Sequence, residues 1–500
     1  MQPVRMRPLA AIAAAALGLV GCGTTVPLTS TRDATAVGLT GSGPTSSQAP
    51  SRVTLAGGQS SGAAGGPAGV PMSGPSLRSL PGTGGTSTSA DSGPASGLGF
   101  TAHTLQIGVT TNKDAQTTLA AVGISSGSLG DQEAMTRAVM SDINAAGGVL
   151  GRRLQPVFHD VTTADTGTNP QGAAQAACAA FTQDAHVAAV LELVLDSRSF
   201  ADCLTKKHVF DVSGGLTFTD RTYVEGLTPY FFRLASPMAE QLIPTYLARL
   251  HALGYFSPWD TVRGRPGGAP VRIGLFHMDE PAPTRAFITI AKRLTAMGYP
   301  VTSYAYGRQD ASYSNAVLRF QTAGVTHVIG DNASYLQLMV ETAAQNYYPR
   351  YGMTSYNGGG VLLQQAAPAA ALAGALGVGW APSVDVDSAH DPGSTGPAYL
   401  RCVQTMRRHG VDISTRAAVA TALGICDGLQ VLVQSMTVGG GFDGPHITAG
   451  RARLSFDATA TFSSGNNAGS IAIPTAVRDY GYQASCSCFA YLSRTNRPLR

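Results

Sequence analysis

Ser141-Asp-Ile-Asn-Ala-Ala-Gly-Gly-Val-Leu-Gly-Arg-Arg-Leu154 is the stretch on which the fold turns, because it stops a helix and starts a strand within a few residues. Upstream, Asp131 stands where an N-cap belongs, and the apolar residues Met135, Val139 and Ile143 recur every four positions, so one face of a helix runs into the stretch. Gly147 and Gly148 end that helix, since glycine enters left-handed backbone conformations without a steric penalty. Gly151 then permits a tight turn, and Leu154 to Phe158 reads as a strand. With the apolar run Leu105 to Thr110 ahead of the helix, the order is strand, helix, strand.

The same alternation continues on either side of a crossing. A helix over Ala173 to Gln183, a strand over Val187 to Leu193, a helix from Ser197 and a strand over Val209 to Val212 complete a first series. Phe231-Phe-Arg-Leu234 marks the crossing. The second series runs helix Met238 to Leu253, strand Val271 to Phe276, helix Thr284 to Met297, strand Val301 to Ala305, helix Ser312 to Thr322, strand Val325 to Ile329 and helix Ser334 to Gln345. Residues 366–382 are apolar but rich in Ala and Gly and broken by Pro368 and Pro382, which suits a helix and a strand better than a membrane span. Two such runs predict an α/β protein of two doubly wound, Rossmann-like lobes with mainly parallel sheets. The first lobe is expected at residues 104–232 plus 385–440 and the second at 233–384 plus 441–500, with three chain crossings between them.

The N-terminus reads as an export signal. Arg5 and Arg7 precede an apolar run, Leu9 to Val20, too short to span a bilayer as a helix, and a small-residue cleavage site follows. Leu19-Val-Gly-Cys22 resembles the lipobox of bacterial lipoproteins. That resemblance implies removal of residues 1–21, a diacylglyceryl thioether on Cys22, and tethering to the outer face of the cytoplasmic membrane. From Gly23 to Phe100 the chain is Gly, Ser, Thr, Pro and Ala with charge only at Arg32, Asp33, Arg52, Arg78 and Asp91, so it cannot bury a core. Residues 22–103 are expected to form the anchor and a flexible stalk with a root-mean-square reach of about 50 Å.

Setting Cys22 aside leaves six cysteines, which allow 15 pairings. Cys178 and Cys203 fall on neighbouring predicted helices, as do Cys402 and Cys426, and closing either loop would stabilise by about 3 to 4 kcal/mol in the chain-entropy model. Cys486 and Cys488 are left to each other or to free thiols. No Cys-x-x-Cys pair or nearby histidine completes four ligands, so neither a metal nor another cofactor is expected. A net charge of +4 without basic runs excludes a nucleic-acid footprint and a polybasic membrane patch.

Two spellings of catalytic motifs lack their context. Gly123-Ile-Ser-Ser-Gly127 matches a nucleophile elbow around Ser125, yet it lies in a polar loop well past the strand instead of at its end. Gly439-Gly-Gly-Phe-Asp-Gly444 follows a long helix and runs into Pro445, not the strand, turn and helix of a dinucleotide site. The ten histidines are scattered, and His159, His277 and His327 sit in or beside strands as structural residues. Nothing assembles a catalytic set, and an enzyme is not expected.

The chain after the stalk resembles the type I periplasmic binding proteins of the Leu/Ile/Val-binding kind, the solute-binding subunits of ABC importers. The resemblance is carried by Ser141 to Leu154, close to the signature acid-Ile-Asn-x-x-Gly-Gly-Val-x-Gly, by Asp160 in the following acidic turn, by Tyr230-Phe-Phe-Arg233 as crossover strand, and by Val271 to Pro349 as second lobe. It implies a hinged interlobe cleft that closes on a small polar ligand (amino-acid-like, amide or small carboxylate), delivery to an ABC importer permease, and a monomer. A sensor or scaffold of the same fold without a transporter is the alternative. Ligands in this fold lie beyond the carboxyl ends of the strands. The resemblance places contacts at Ser197, Ser213 and Gly214 in the first lobe and at Asp331, Asn332 and Tyr335 in the second. Each has a structural reading as well: Ser197 and Asp331 or Asn332 as helix caps, Ser213 and Gly214 as turn residues, Tyr335 as a core ring. Leu195-Asp-Ser-Arg198 replaces the family's Gly-Ser-rich loop, which widens the ligand class to urea, amides, other amino acids, small carboxylates and aromatic acids.

Overall fold

Five parallel strands build the first sheet: β1 (Thr104–Thr111), β2 (Arg153–Asp160), β3 (Ala189–Glu192), β4 (Phe210–Ser213) and β5 (Phe231–Arg233), in the order β2-β1-β3-β4-β5. The computed structural model describes residues 97–114, 128–307, 313–331, 334–365, 367–456, 458–462 and 470–499. The leader, Cys22, the stalk up to residue 96, Ser125 and Asn332 lie outside the described residues. A short hairpin, β6 (Trp259–Asp260) with β7 (Arg265–Pro266), precedes the second sheet. That sheet holds β8 (Ile273–Met278), β9 (Val301–Tyr306), β10 (His327–Gly330), β11 (Arg350–Thr354), β12 (Leu376–Gly379), β13 (Ala476–Gln483) and β14 (Cys488–Tyr491), in the order β14-β13-β12-β11-β10-β8-β9. β13 and β14 run antiparallel at its edge, and β15 (Arg497–Pro498) pairs with β13.

The signature stretch folds as its composition dictates. The helix Gln132–Ala145 starts on Asp131, whose carboxylate accepts from the Ala134 amide at 2.9 Å. Gly148 has φ +71°, and a Cβ there would lie 2.0 Å from the Arg152 carbonyl oxygen, so glycine is required. Asn144 then clamps the helix end to β2: its Nδ2 donates to the Leu154 carbonyl at 3.0 Å and its Oδ1 accepts from the Leu154 amide at 2.7 Å. That explains why an asparagine sits in this stretch.

Both sheets are covered on both faces, which is why strands such as β3, β4, β8 and β10 are buried at every position. The helices Gln132–Ala145 and Arg416–Gly439 pack on one face of the first sheet, and Pro170–Ala179 with Arg198–Lys206 on the other. Tyr335–Ala344 with Ser314–Thr322, and Ala239–Ala252 with Pro281–Ala296, flank the second sheet. The Arg416–Gly439 helix is long and apolar enough to cross a membrane by length and composition, yet Leu423, Leu429 and Leu432 are spent on the first core.

Three crossings join the sheets and are hydrogen-bonded to one another. Arg233 of β5 accepts from the Ile473 amide and donates its own to Ile471; Trp380 donates its indole N–H to the Ala235 carbonyl at 2.8 Å; and the Phe462 amide donates to the Trp380 carbonyl at 2.6 Å. Residues Phe442, Ile447 and Phe456, expected with the second lobe, pack in the first core, so the third crossing follows Phe456 instead of residue 440. Cys178 is bonded to Cys203, Cys402 to Cys426 and Cys486 to Cys488. The first pair joins two helices on one face of the first sheet and the second joins two helices on the other face.

Candidate functional site

The carboxyl ends of β3, β4 and β5 carry Glu192, Ser213 and Arg233 in register, side by side across three strands. All three are buried. Arg233 donates to Ser213 Oγ at 2.9 Å and to the Gly215 carbonyl at 2.8 Å, and it forms an ion pair with Asp196. Burial first, and then the charge of Asp196, push the Glu192 carboxyl up to about 7, while Ser213 and Arg233 pull the other way. Asp211 on the same face is fully buried and pushed up too, by desolvation and by Glu192. One guanidinium therefore pairs with Asp196 and, by its charge alone, opposes the upward shift of Glu192 and Asp211 at the root of the crossover, with Ser213 bonded to it.

In the second lobe Asp331 and Tyr335 serve the sheet. Asp331 accepts from the Met278 amide at 2.6 Å and from the Tyr306 hydroxyl at 2.9 Å, and burial raises its carboxyl to about 7. Tyr335 is fully buried and its hydroxyl donates to the Val328 carbonyl at 2.7 Å. Neither lines either of the two cavities that open between the lobes.

Those two cavities lie on either side of the loop that follows β4. The first, of about 500 Å³, carries charged side chains: Asp196, Arg198 and Asp202, with Ser197 among them, face Glu280 and Arg285. Ser197 precedes the Arg198–Lys206 helix without capping it through its side chain, and its Oγ bonds to Ser199 Oγ at 2.8 Å. Arg285 bridges to Asp220 across the lobes with two bonds of 2.6 and 2.8 Å. Phe218, beside it, packs on Phe287 and Tyr356 of the second core.

The second cavity, of about 320 Å³, is lined mainly by hydrocarbon. Gly214 belongs here, with Leu193, Val194 and Leu216 from the first sheet's edge and Val361 and Val384 from the second lobe. All three crossings reach it, through Leu234 and Ala235, through Ala381, Ser383 and Val384, and through Ala460 and Thr461. One wall is the Arg416–Gly439 helix, which presents Ala417, Ala420, Thr421 and Gly424, spaced to share a face. A Cβ added at Gly424 would meet nothing within 4 Å, so this wall is a trough. A further cavity of about 650 Å³ beside Asp131 and Thr415 is enclosed by first-lobe residues alone.

Sequence reasoning reached Ser197 and Gly214, which line different cavities, but not the helix trough. Small residues three and four apart inside an apolar helix were the signal available, and they read equally well as close packing. His390 also escaped it: the fold brings its Nε2 to 3.9 Å from Cys488 Sγ, with Asp387 accepting at Nδ1, whereas the sequence offered no histidine near the pair. His390, Cys486 and Cys488 converge within 4.8 Å, but the two sulfurs are bonded to each other, which leaves one imidazole as a ligand. His327 is buried, with Nε2 2.8 Å from the Tyr255 carbonyl, and is structural as expected.

Residues 117–425 match the family model described as periplasmic binding protein. Among solved structures the chain is similar to a branched-chain amino acid ABC transporter protein from Thermus thermophilus with bound valine, at TM-score 0.58 and 11% identity, covering 79% of this chain and 97% of that one. It is similar to a fatty acid ABC transporter substrate-binding protein from Thermomonospora curvata, at TM-score 0.56 and 13% identity over 80% and 94% of the two chains. A solute-binding protein from Rhodopseudomonas palustris in complex with 4-hydroxybenzoate gives TM-score 0.56 and 12% identity over 79% and 98%. A search of curated proteins returned no match.

Proposed function

The chain belongs to the periplasmic binding protein family, and from that premise we propose that it captures a small solute between its lobes outside the cytoplasm and hands it, chemically unchanged, to the permease of an ABC importer. The observation that carries this reading is the cavity reached by all three crossings, because a ligand seated there contacts the elements about which the lobes turn. Contacts made by both lobes favour the closed state, and closure follows from that difference in affinity.

In this reading the protein is a monomeric lipoprotein. The leader 1–21 is removed, Cys22 carries the lipid, and residues 22–103 form a stalk that lets the binding domain range above the membrane. The first lobe comprises 104–232 with 385–456 and the second 233–384 with the strands after 470, allotted by the cores in which these segments pack. Gly214 is kept as a contact, while Ser197 lines the other cavity and Ser213, Asp331 and Tyr335 hold the lobes in shape.

The full chain is incubated with a metabolite extract, washed, denatured and analysed by mass spectrometry. The expected result is one compound retained at a stoichiometry near one per chain, of unaltered mass, which also raises the melting temperature as its concentration rises. Conversion of that compound on repeated exposure, or retention of nothing, defeats the proposal.

A further inference from the structure

We propose that the ligand is a largely hydrocarbon molecule with a neutral hydrogen-bonding end, an amide or hydroxyl, and not an amino-acid zwitterion. This rests on the solute-capture reading above and specifies the chemistry of its site. The trough of Ala417, Ala420, Thr421 and Gly424 faces branched apolar walls from Leu193, Leu216, Val361 and Val384. At about 320 Å³ the space lies at the small end of ligand pockets, enough for a single ring with a short tail.

Charge decides the class. No described residue lining this cavity is ionisable. The ionisable residues next to the lining along the chain are already engaged by the protein. Arg416 pairs with Asp391 at 2.6 Å, Arg233 with Asp196 and Glu133 with Lys113; Glu192 accepts from the Ser197 amide, Asp385 from Ser355, Ala381 and Tyr491, and Asp427 from Thr459 and Ala460; and Asp131 caps its own helix. An ammonium group entering here would give up its water with no counter-charge among the described lining residues, a cost that a molecule this small cannot recover from apolar contact. A neutral polar end needs only a hydrogen-bonding group, and Thr461 offers one: it is buried in the lining with its hydroxyl unpartnered among the described residues.

Isothermal titration of the full chain with 3-phenylpropanamide, 3-phenylpropionate and phenylalanine, which share one hydrocarbon body, tests the proposal. The amide is expected to bind at least about tenfold more tightly than phenylalanine. Gly424→Leu, whose side chain grows into open space, is expected to abolish amide binding while the melting temperature stays within a few degrees of the parent. Should that variant fail to fold, Ala420→Phe fills the same trough. Equal or tighter binding of phenylalanine, undiminished amide binding in the filled variants, or no binding by the three probes overturns the proposal. Preference for the zwitterion would leave solute capture standing, whereas a metabolite extract that leaves nothing bound would remove both.

Discussion

Asp331 shows how a residue can be well placed in the chain and still be spoken for. It follows a strand of the second sheet, where ligands gather in α/β folds, and that position is visible in the sequence. What the sequence cannot display is that the Met278 amide and Tyr306 hydroxyl, which lie far from it along the chain, converge on its oxygens. The consequence is measurable. Burial lifts the Asp331 carboxyl from 3.8 to about 7, so between those values the folded protein holds a proton that the unfolded chain has released. Stability from this group is therefore present at acid pH and is lost as pH rises toward about 7, with a slope of at most about 1.4 kcal/mol per pH unit. Glu192 and Asp385, also raised to about 7, act in the same direction. Asp331→Asn removes one titration. Calorimetric melting across pH 5 to 7.5 is expected to show the variant gaining on the parent as pH rises, and a constant difference would refute the assignment.

At the scale of the element, the sequence is most legible where one residue type meets one backbone demand. Gly148 at the end of the first helix, Asp131 at its start, and the alternation of strands with helices through both series lie where the pattern placed them. The C-terminal part of the chain was less legible. β13 and β14 join the second sheet antiparallel, and the helix Gly444–Arg453 returns to the first core, because long-range packing and not local propensity decides which sheet a late segment joins. The Arg416–Gly439 helix carries both kinds of information. Its two inner glycines, Gly424 and Gly428, look alike in sequence, but a Cβ at the first meets open space and at the second comes 2.5 Å from Leu191. Gly424→Ala is expected to stabilise the protein by about 0.5 to 1 kcal/mol through helix propensity alone. Gly428→Ala is expected to destabilise it by about 1 to 3 kcal/mol through overpacking. Urea denaturation of the two variants decides, and the same sign in both would mean that the helix does not face the trough as described.

Over the whole molecule, the two lobes meet at more than the three crossings. Asp220, at the end of the loop after β4, holds Arg285 of the second lobe with two charge-assisted bonds, and Phe218 two residues earlier enters the second core. The loop thus belongs to the first lobe by chain order and to the second by packing, and it lies between the cavity with charged walls and the uncharged one. Contacts of this kind fix the angle between lobes only if they are lost when the lobes part. The ion pair is partly buried, with the Asp220 side chain 11% exposed, and Arg285 holds that carboxyl below the usual range despite the opposing effect of burial. Removing Arg285 leaves Asp220 without its counter-charge and frees the outer edge of the cleft. Arg285→Ala is expected to enlarge the radius of gyration of the unliganded protein in small-angle scattering and to weaken ligand binding severalfold, since more of the binding energy must then go into drawing the lobes together. Scattering curves that superimpose on those of the parent, with unchanged affinity, would show that the crossings alone set the interlobe angle.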